Sequence, residues 1–143
     1  MRRCWMAALA VMMALSAGPA AADMRIEASA GGRIGDYLDL FASVARSGER
    51  VVIDGPCLSA CTLVLSLVPR ERICITRRAV LGFHAAWKPD EEGRARTHAR
   101  ATQLMMESYP SNVRHWIRRK GGLTSRTLML RGRELAAMYP RCG

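Results

Sequence analysis

Apolar positions divide the chain into short segments with two different periods. Residues 24–28 alternate apolar and polar side chains, the period of a half-buried strand, and Ser29-Ala30-Gly31-Gly32 breaks the run. Beyond the break, Ile34, Leu38, Phe41, Val44 and Ala45 recur at helical spacing while Asp36, Asp39 and Arg46 fall elsewhere. This predicts an amphipathic helix over 34–45, ended by Ser47-Gly48. Val51-Val52-Ile53 reads as a buried β-branched strand stopping at Asp54-Gly55-Pro56. Residues 59–68 are apolar on nearly every face, begin with a capping serine and stop at Pro69, which predicts a buried helix. Ile73-Cys74-Ile75 and Val80-Leu81-Gly82-Phe83 are the next strands, separated by the charged turn Arg77-Arg78. Strand, helix, strand at this spacing is a βαβ unit and implies parallel strands. Ligands of such sheets bind beyond the carboxyl ends of the strands, where Gly31-Gly32, residues 57–59 and His84 all fall.

The remainder is more polar. Residues 88–93 read as a charged loop, either a lid or a simple connection, followed by helices over 94–108 and 111–120 with Gly121-Gly122 as the stop. Leu128-Met129-Leu130 is a last short strand and 133–138 a last helical turn or two. The fold class is α/β, a small and mostly parallel sheet with βαβ units and C-terminal helices.

The first residues change the picture of what reaches its destination. Met1-Arg2-Arg3, an apolar stretch over 5–17 and Gly18-Pro19-Ala20-Ala21-Ala22 form a signal peptide, cleaved after Ala22. An uncleaved anchor is the weaker alternative, because the apolar middle is short and ends at Gly-Pro. Residues 23–143 then make one domain of 143 − 22 = 121 residues, periplasmic or secreted, with no stable membrane span. Cys57, Cys61, Cys74 and Cys142 are an even set in a compartment that permits oxidation, so disulfides are favoured over metal ligands or free thiols. Three pairings are open. Cys57 with Cys61, close across a helix start, and Cys74 with Cys142, stapling the tail, are preferred.

The net charge of +10 falls to +8 without Arg2 and Arg3, and Lys88 and Lys120 are the only lysines. Such a surface suits anionic lipid or envelope polymers, while export and the absence of interleaved aromatics argue against nucleic acid. Arg70, Arg72, Arg77, Arg78, Arg94, Arg96 and Arg100 read as a solvated surface.

Candidate chemistry rests on Ser59 and His84. A serine hydroxyl needs a base within reach and donors aimed at the developing oxyanion. At a helix start, the Ala60 N–H is one such donor, and Gly32, with nothing to hinder its backbone, is a second. The bland reading makes Ser59 a helix cap and His84 a packed strand end. Gly31-Gly32, the run Cys57-Leu58-Ser59-Ala60-Cys61 and Gly82-Phe83-His84 resemble the Clp-type serine protease and crotonase superfamily, and more closely exported ClpP-like proteins with a Cys-x-Ser-Ala-Cys signature. The likeness covers roughly residues 24 to 86. It implies a small ClpP/crotonase-like fold and a serine hydrolase, a peptidase, with Ser59 as nucleophile, His84 as base, and a peptide or small acyl substrate. It also implies a possible homo-oligomer, since such relatives form rings. A non-catalytic envelope binding or assembly module is the alternative.

The family's orienting aspartate has no clear counterpart. Where it belongs stand Leu123, Thr124 and Ser125, so its place falls to Glu134, to Asp90, Glu91 or Glu92, or to a backbone carbonyl. His84, His98 and His115 show no ligand spacing, so no metal and no cofactor is expected. Trp116, Ile117, Leu104, Met105 and Met106 form apolar helix faces, for the core or an oligomer contact.

Overall fold

The computed structural model describes residues 22–143, so the expected signal segment lies, apart from Ala22, outside the described residues. Among the described residues no helix is long and apolar enough to cross a membrane. Two small sheets and a hairpin replace the single sheet expected. The first sheet has the order β1 (Met24–Ile26), β2 (Val51–Ile53), β4 (Ile73–Ile75), all parallel. The second joins β3 (Pro56–Leu58) to β5 (Val80–Phe83) in parallel and β5 to β8 (Leu128–Arg131) in antiparallel fashion.

The chain changes sheets at Asp54-Gly55. Pro56, expected to help stop a strand, instead opens β3, a position where a missing N–H is harmless. Gly55 is buried, and a Cβ on it would overlap the backbone carbonyl of Glu27, so only glycine lets the two chain segments cross this closely. Asp54 fixes the same corner. Its carboxylate accepts from the Thr76 hydroxyl at 2.7 Å and from the guanidinium groups of Arg78 and Arg25, each at 2.5 Å.

The Arg78 hydrogen bond first, and those from Thr76 and Arg25 after it, hold the Asp54 carboxyl far below the usual carboxylate range despite its burial. A carboxyl whose folded-state pKa lies below its unfolded value contributes stability above the unfolded pKa and loses it as pH falls toward the folded one. Urea midpoints are therefore expected to fall steadily below about pH 4–5. In Asp54→Asn this acid slope flattens, and the neutral-pH midpoint drops because Arg25 and Arg78 lose their partner.

Helix α1 (Ile34–Ser47) packs Phe41 and Val44 on the core and ends at Gly48, whose φ of 82° is left-handed. Arg72 closes that end by donating to the carbonyls of Ala45, Glu49 and Val44. Arg70 likewise donates to the Met138 carbonyl, so several arginines expected to be merely solvated clamp main-chain carbonyls or, like Arg78, a carboxylate.

The expected helix over 59–68 is a 3-10 turn, Ser59–Leu63, running into one turn of α-helix, α2 (Val64–Leu67). Residues 88–97 differ more. In place of a loop and a helix start they form a hairpin of β6 (Trp87–Pro89) and β7 (Ala95–Thr97), closed over Asp90 by Arg94 and Arg96. Helix α3 (Ala99–Ser108) starts only after it, capped by a His98 nitrogen that accepts from the Ala101 N–H. Helix α4 (Ser111–Arg119) and the short α5 (Gly132–Ala136) follow near their expected places. Phe83 packs edge-on against Tyr109 and tilted on Trp116, tying β5 to these helices. Met105, Trp116 and Ile117 are core, whereas Leu104 is exposed. The bridges are Cys57–Cys61 and Cys74–Cys142.

Candidate active site

Ser59 and His84 leave the same ends of two neighbouring parallel strands. The register pairs Leu58 with Gly82, so Ser59 follows β3 directly and His84 follows β5 one residue past that level. Paired strands run about 4.8 Å apart, which brings the two side chains to one edge. Both line one cleft of about 520 Å³. Gly32, Arg33, Ile34 and Gly35 form a wall from the loop and start of α1, and Ala86, Trp87, Pro89 and Met105 form the other. Another hollow of about 320 Å³ is also bordered by His84, with Ser125 and Thr127 among its lining.

Ser59 is the only non-glycine among the described residues with positive φ, at 57°. A left-handed L-residue is about 1–2 kcal/mol less favourable than a right-handed one, so the surroundings must hold it there. Gly31 backs directly onto it: a Cβ on Gly31 would lie 2.6 Å from the Ser59 Cβ and 2.5 Å from the Leu58 oxygen. On the other side the Thr62 hydroxyl donates to the Ser59 carbonyl at 2.7 Å. That hydroxyl has one proton, so the Tyr109 hydroxyl, also 2.7 Å away, donates to it. Burial pushes Tyr109 up to about 12, so it keeps the proton to donate.

The chain Tyr109, Thr62, Ser59 thus runs from the residue packed edge-on against Phe83 to the serine that shares the cleft with His84. In Thr62→Val the Ser59 carbonyl and the Tyr109 hydroxyl both lose this partner. A loss of about 1–3 kcal/mol is expected by urea denaturation, with Tyr109→Phe milder because Thr62 keeps its bond to Ser59.

No family model and no curated protein matches this chain.

His84 Nδ1 lies 2.8 Å from the Ala85 carbonyl oxygen. A carbonyl only accepts, so in the neutral ring Nδ1 carries the proton and Nε2 keeps the lone pair a base requires. The Ala85 N–H donates in turn to the Thr124 carbonyl at 2.7 Å, so the segment that lacks an aspartate still braces the histidine end of β5 through main chain. Three of the acidic candidates are bound elsewhere, and Glu91, exposed in the hairpin turn, is not among the residues lining the cleft. Glu134 accepts from the Trp116 indole at 3.0 Å and pairs with Lys120 at 3.4 Å, contacts that hold its carboxyl below the ordinary range. Asp90 and Glu92 pair with arginines of the hairpin.

Among the described residues no hydrogen bond joins Ser59 to His84. Gly32 lines the cleft, while Ala60 is wholly buried behind Ser59, at the start of a 3-10 helix with no side-chain cap for its first N–H groups. Trp87, Pro89, Met105 and Thr62 were not legible as site residues. The turn Asp90 to Gly93 between two β-capable triplets was the available hairpin signal for Trp87 and Pro89.

Proposed function

We propose that this protein is an exported, periplasmic or secreted serine hydrolase with a reduced ClpP/crotonase-like fold, acting on peptides. One observation carries the reading: Ser59, held in a left-handed joint between strand and helix, shares a cleft with His84, whose free nitrogen is the basic one. In this reading Ser59 Oγ attacks a carbonyl carbon while His84 Nε2 takes the hydroxyl proton. The oxyanion is received by the N–H groups of Gly32 and Ala60. Collapse breaks the scissile bond, the leaving group takes the proton from His84, and water, deprotonated by the same nitrogen, releases the acyl group. The two disulfides suit an oxidising compartment. A peptide is favoured as substrate because β6 is an edge of a two-stranded sheet and brings Trp87 and Pro89 into the cleft, a place for an extended chain to lie.

A second reading, a binding or assembly module that keeps the cleft without turnover, is favoured by the missing carboxylate at His84 Nδ1. A fluorophosphonate probe decides between them. Covalent modification mapped to Ser59 in the folded protein supports the hydrolase; folded protein that stays unmodified overturns it.

A further inference from the structure

Ser59 stands midway between Cys57 and Cys61, and the two half-cystines are both buried. Their Cα atoms lie 5.3 Å apart. Four residues of continued strand would separate them by roughly 13 Å, so the bridge excludes an extended chain and requires a turn within the three residues between. Leu58 is still extended, with φ −111° and ψ 153°, and the 3-10 turn runs from Ser59 to Leu63. The turn falls on Ser59, where φ is 57°.

The second bridge works differently. Cys74–Cys142 spans 68 residues and ties the tail at Arg141 to β4, whereas Cys57–Cys61 spans 4. Chain-entropy stabilisation grows with the loop closed, so the long bridge contributes more to global stability and the short one acts locally.

We infer that the Cys57–Cys61 disulfide is a positioning element that holds Ser59 in its left-handed conformation and so presents the hydroxyl to the cleft. This rests on Ser59 being the nucleophile only for its catalytic consequence; the backbone claim stands by itself. Thr62 and Gly31 fix where the elbow sits, through the Ser59 carbonyl and the space behind it. The cross-link limits the dihedral itself, because opening it frees Ser59 to relax toward negative φ.

A stability cycle tests this without reference to activity. Glycine adopts positive φ freely, so Ser59→Gly relieves the unfavourable conformation only where that conformation is enforced. Four mature proteins are compared by urea denaturation: wild type, Ser59→Gly, Cys57→Ala/Cys61→Ala, and the triple variant. The effect of Ser59→Gly on the folding equilibrium is expected to be more favourable in the bridged background than in the bridge-free one by roughly fivefold or more. Equal effects in the two backgrounds overturn the inference. So does a bridge-free protein that fails to fold with Cys74–Cys142 intact, since the short bridge would then be a fold staple.

Fluorophosphonate labelling supplies the catalytic arm. With a wild type that labels, the folded bridge-free variant is expected to label at least about tenfold more slowly, and an unchanged rate overturns the link to catalysis. A wild type that does not label defeats the hydrolase reading, and the stability cycle still decides the conformational one.

Discussion

Replacing His84 by alanine is expected to slow fluorophosphonate modification of Ser59 by about 10²–10⁴-fold, the range a positioned general base contributes. The time course of labelling, read on folded protein, checks it. The size follows from the geometry: the cleft brings Ser59 and His84 together, and the carboxylates of Asp90, Glu92 and Glu134 are bound to other groups. Nothing else named at the cleft is placed to take the serine proton in their stead. The wild-type rate itself is expected to be modest. Nδ1 faces a carbonyl rather than a carboxylate, so the imidazolium formed on proton transfer is oriented but poorly stabilised, and the loss of an acid at this point lowers turnover by about 10⁴ in a Ser-His-Asp site. A His84→Ala rate within tenfold of wild type, or label found away from Ser59, would end the assignment of His84 as base.

Gly55→Ala is expected to be the most damaging single methyl group in the chain. The added Cβ would overlap the Glu27 carbonyl oxygen and sit 2.8 Å from its carbon, and both are main-chain atoms that cannot rotate aside. Neither strand can yield easily. The Asp54 N–H is bonded to the Ile26 carbonyl at 2.8 Å, and the Asp54 side chain is clamped by Thr76, Arg78 and Arg25. Relief requires parting β1 from β2 at the sheet-switching corner, which places the substitution among the rare ones above about 4 kcal/mol, a large fraction of a small domain's stability. Thermal unfolding should show a midpoint lower by about 15 °C or more, or no folded protein at all. Gly35→Ala is the control. It lies in α1 with open space around it, and alanine there should raise stability by about 0.5–1 kcal/mol. A Gly55→Ala midpoint close to wild type would refute the close crossing.

Elements whose apolar pattern is local and uninterrupted stand where the sequence places them. Val51–Ile53, Ile73–Ile75 and Val80–Phe83 are strands at those residues, and α1 and α4 begin at the residues expected. The strands are largely buried apolar runs rich in β-branched residues, and the two helices carry apolar side chains at helical spacing. The misread segments share the opposite trait. β3 lies behind Gly55 and opens on Pro56, and β6 and β7 are exposed at every residue and carry Lys88, Pro89 and Arg96, so turn residues and charge dominate the reading. Those short strands carry the site. β3 sets Ser59 beside the end of β5, and β6 walls the cleft with Trp87 and Pro89.

What the amino-acid sequence determined alone was the mixed α/β character, the parallel strands and Ser59 and His84 as the residues worth testing, because capping, β-branching and helical spacing are properties of neighbours in the chain. The Cys57–Cys61 pairing, between near neighbours, was legible on the same terms, whereas Cys74–Cys142 was only a preference among three open pairings. The split into two sheets, the left-handed backbone of Ser59, the occupation of Glu134 by Trp116 and Lys120, and the carbonyl behind His84 were decided only by the tertiary structure. The split sheets and the contacts of Glu134 depend on atoms distant in sequence competing for the same space or proton, and the Ser59 backbone and the Ala85 carbonyl on how neighbouring residues bend in space, none of which a one-dimensional pattern records.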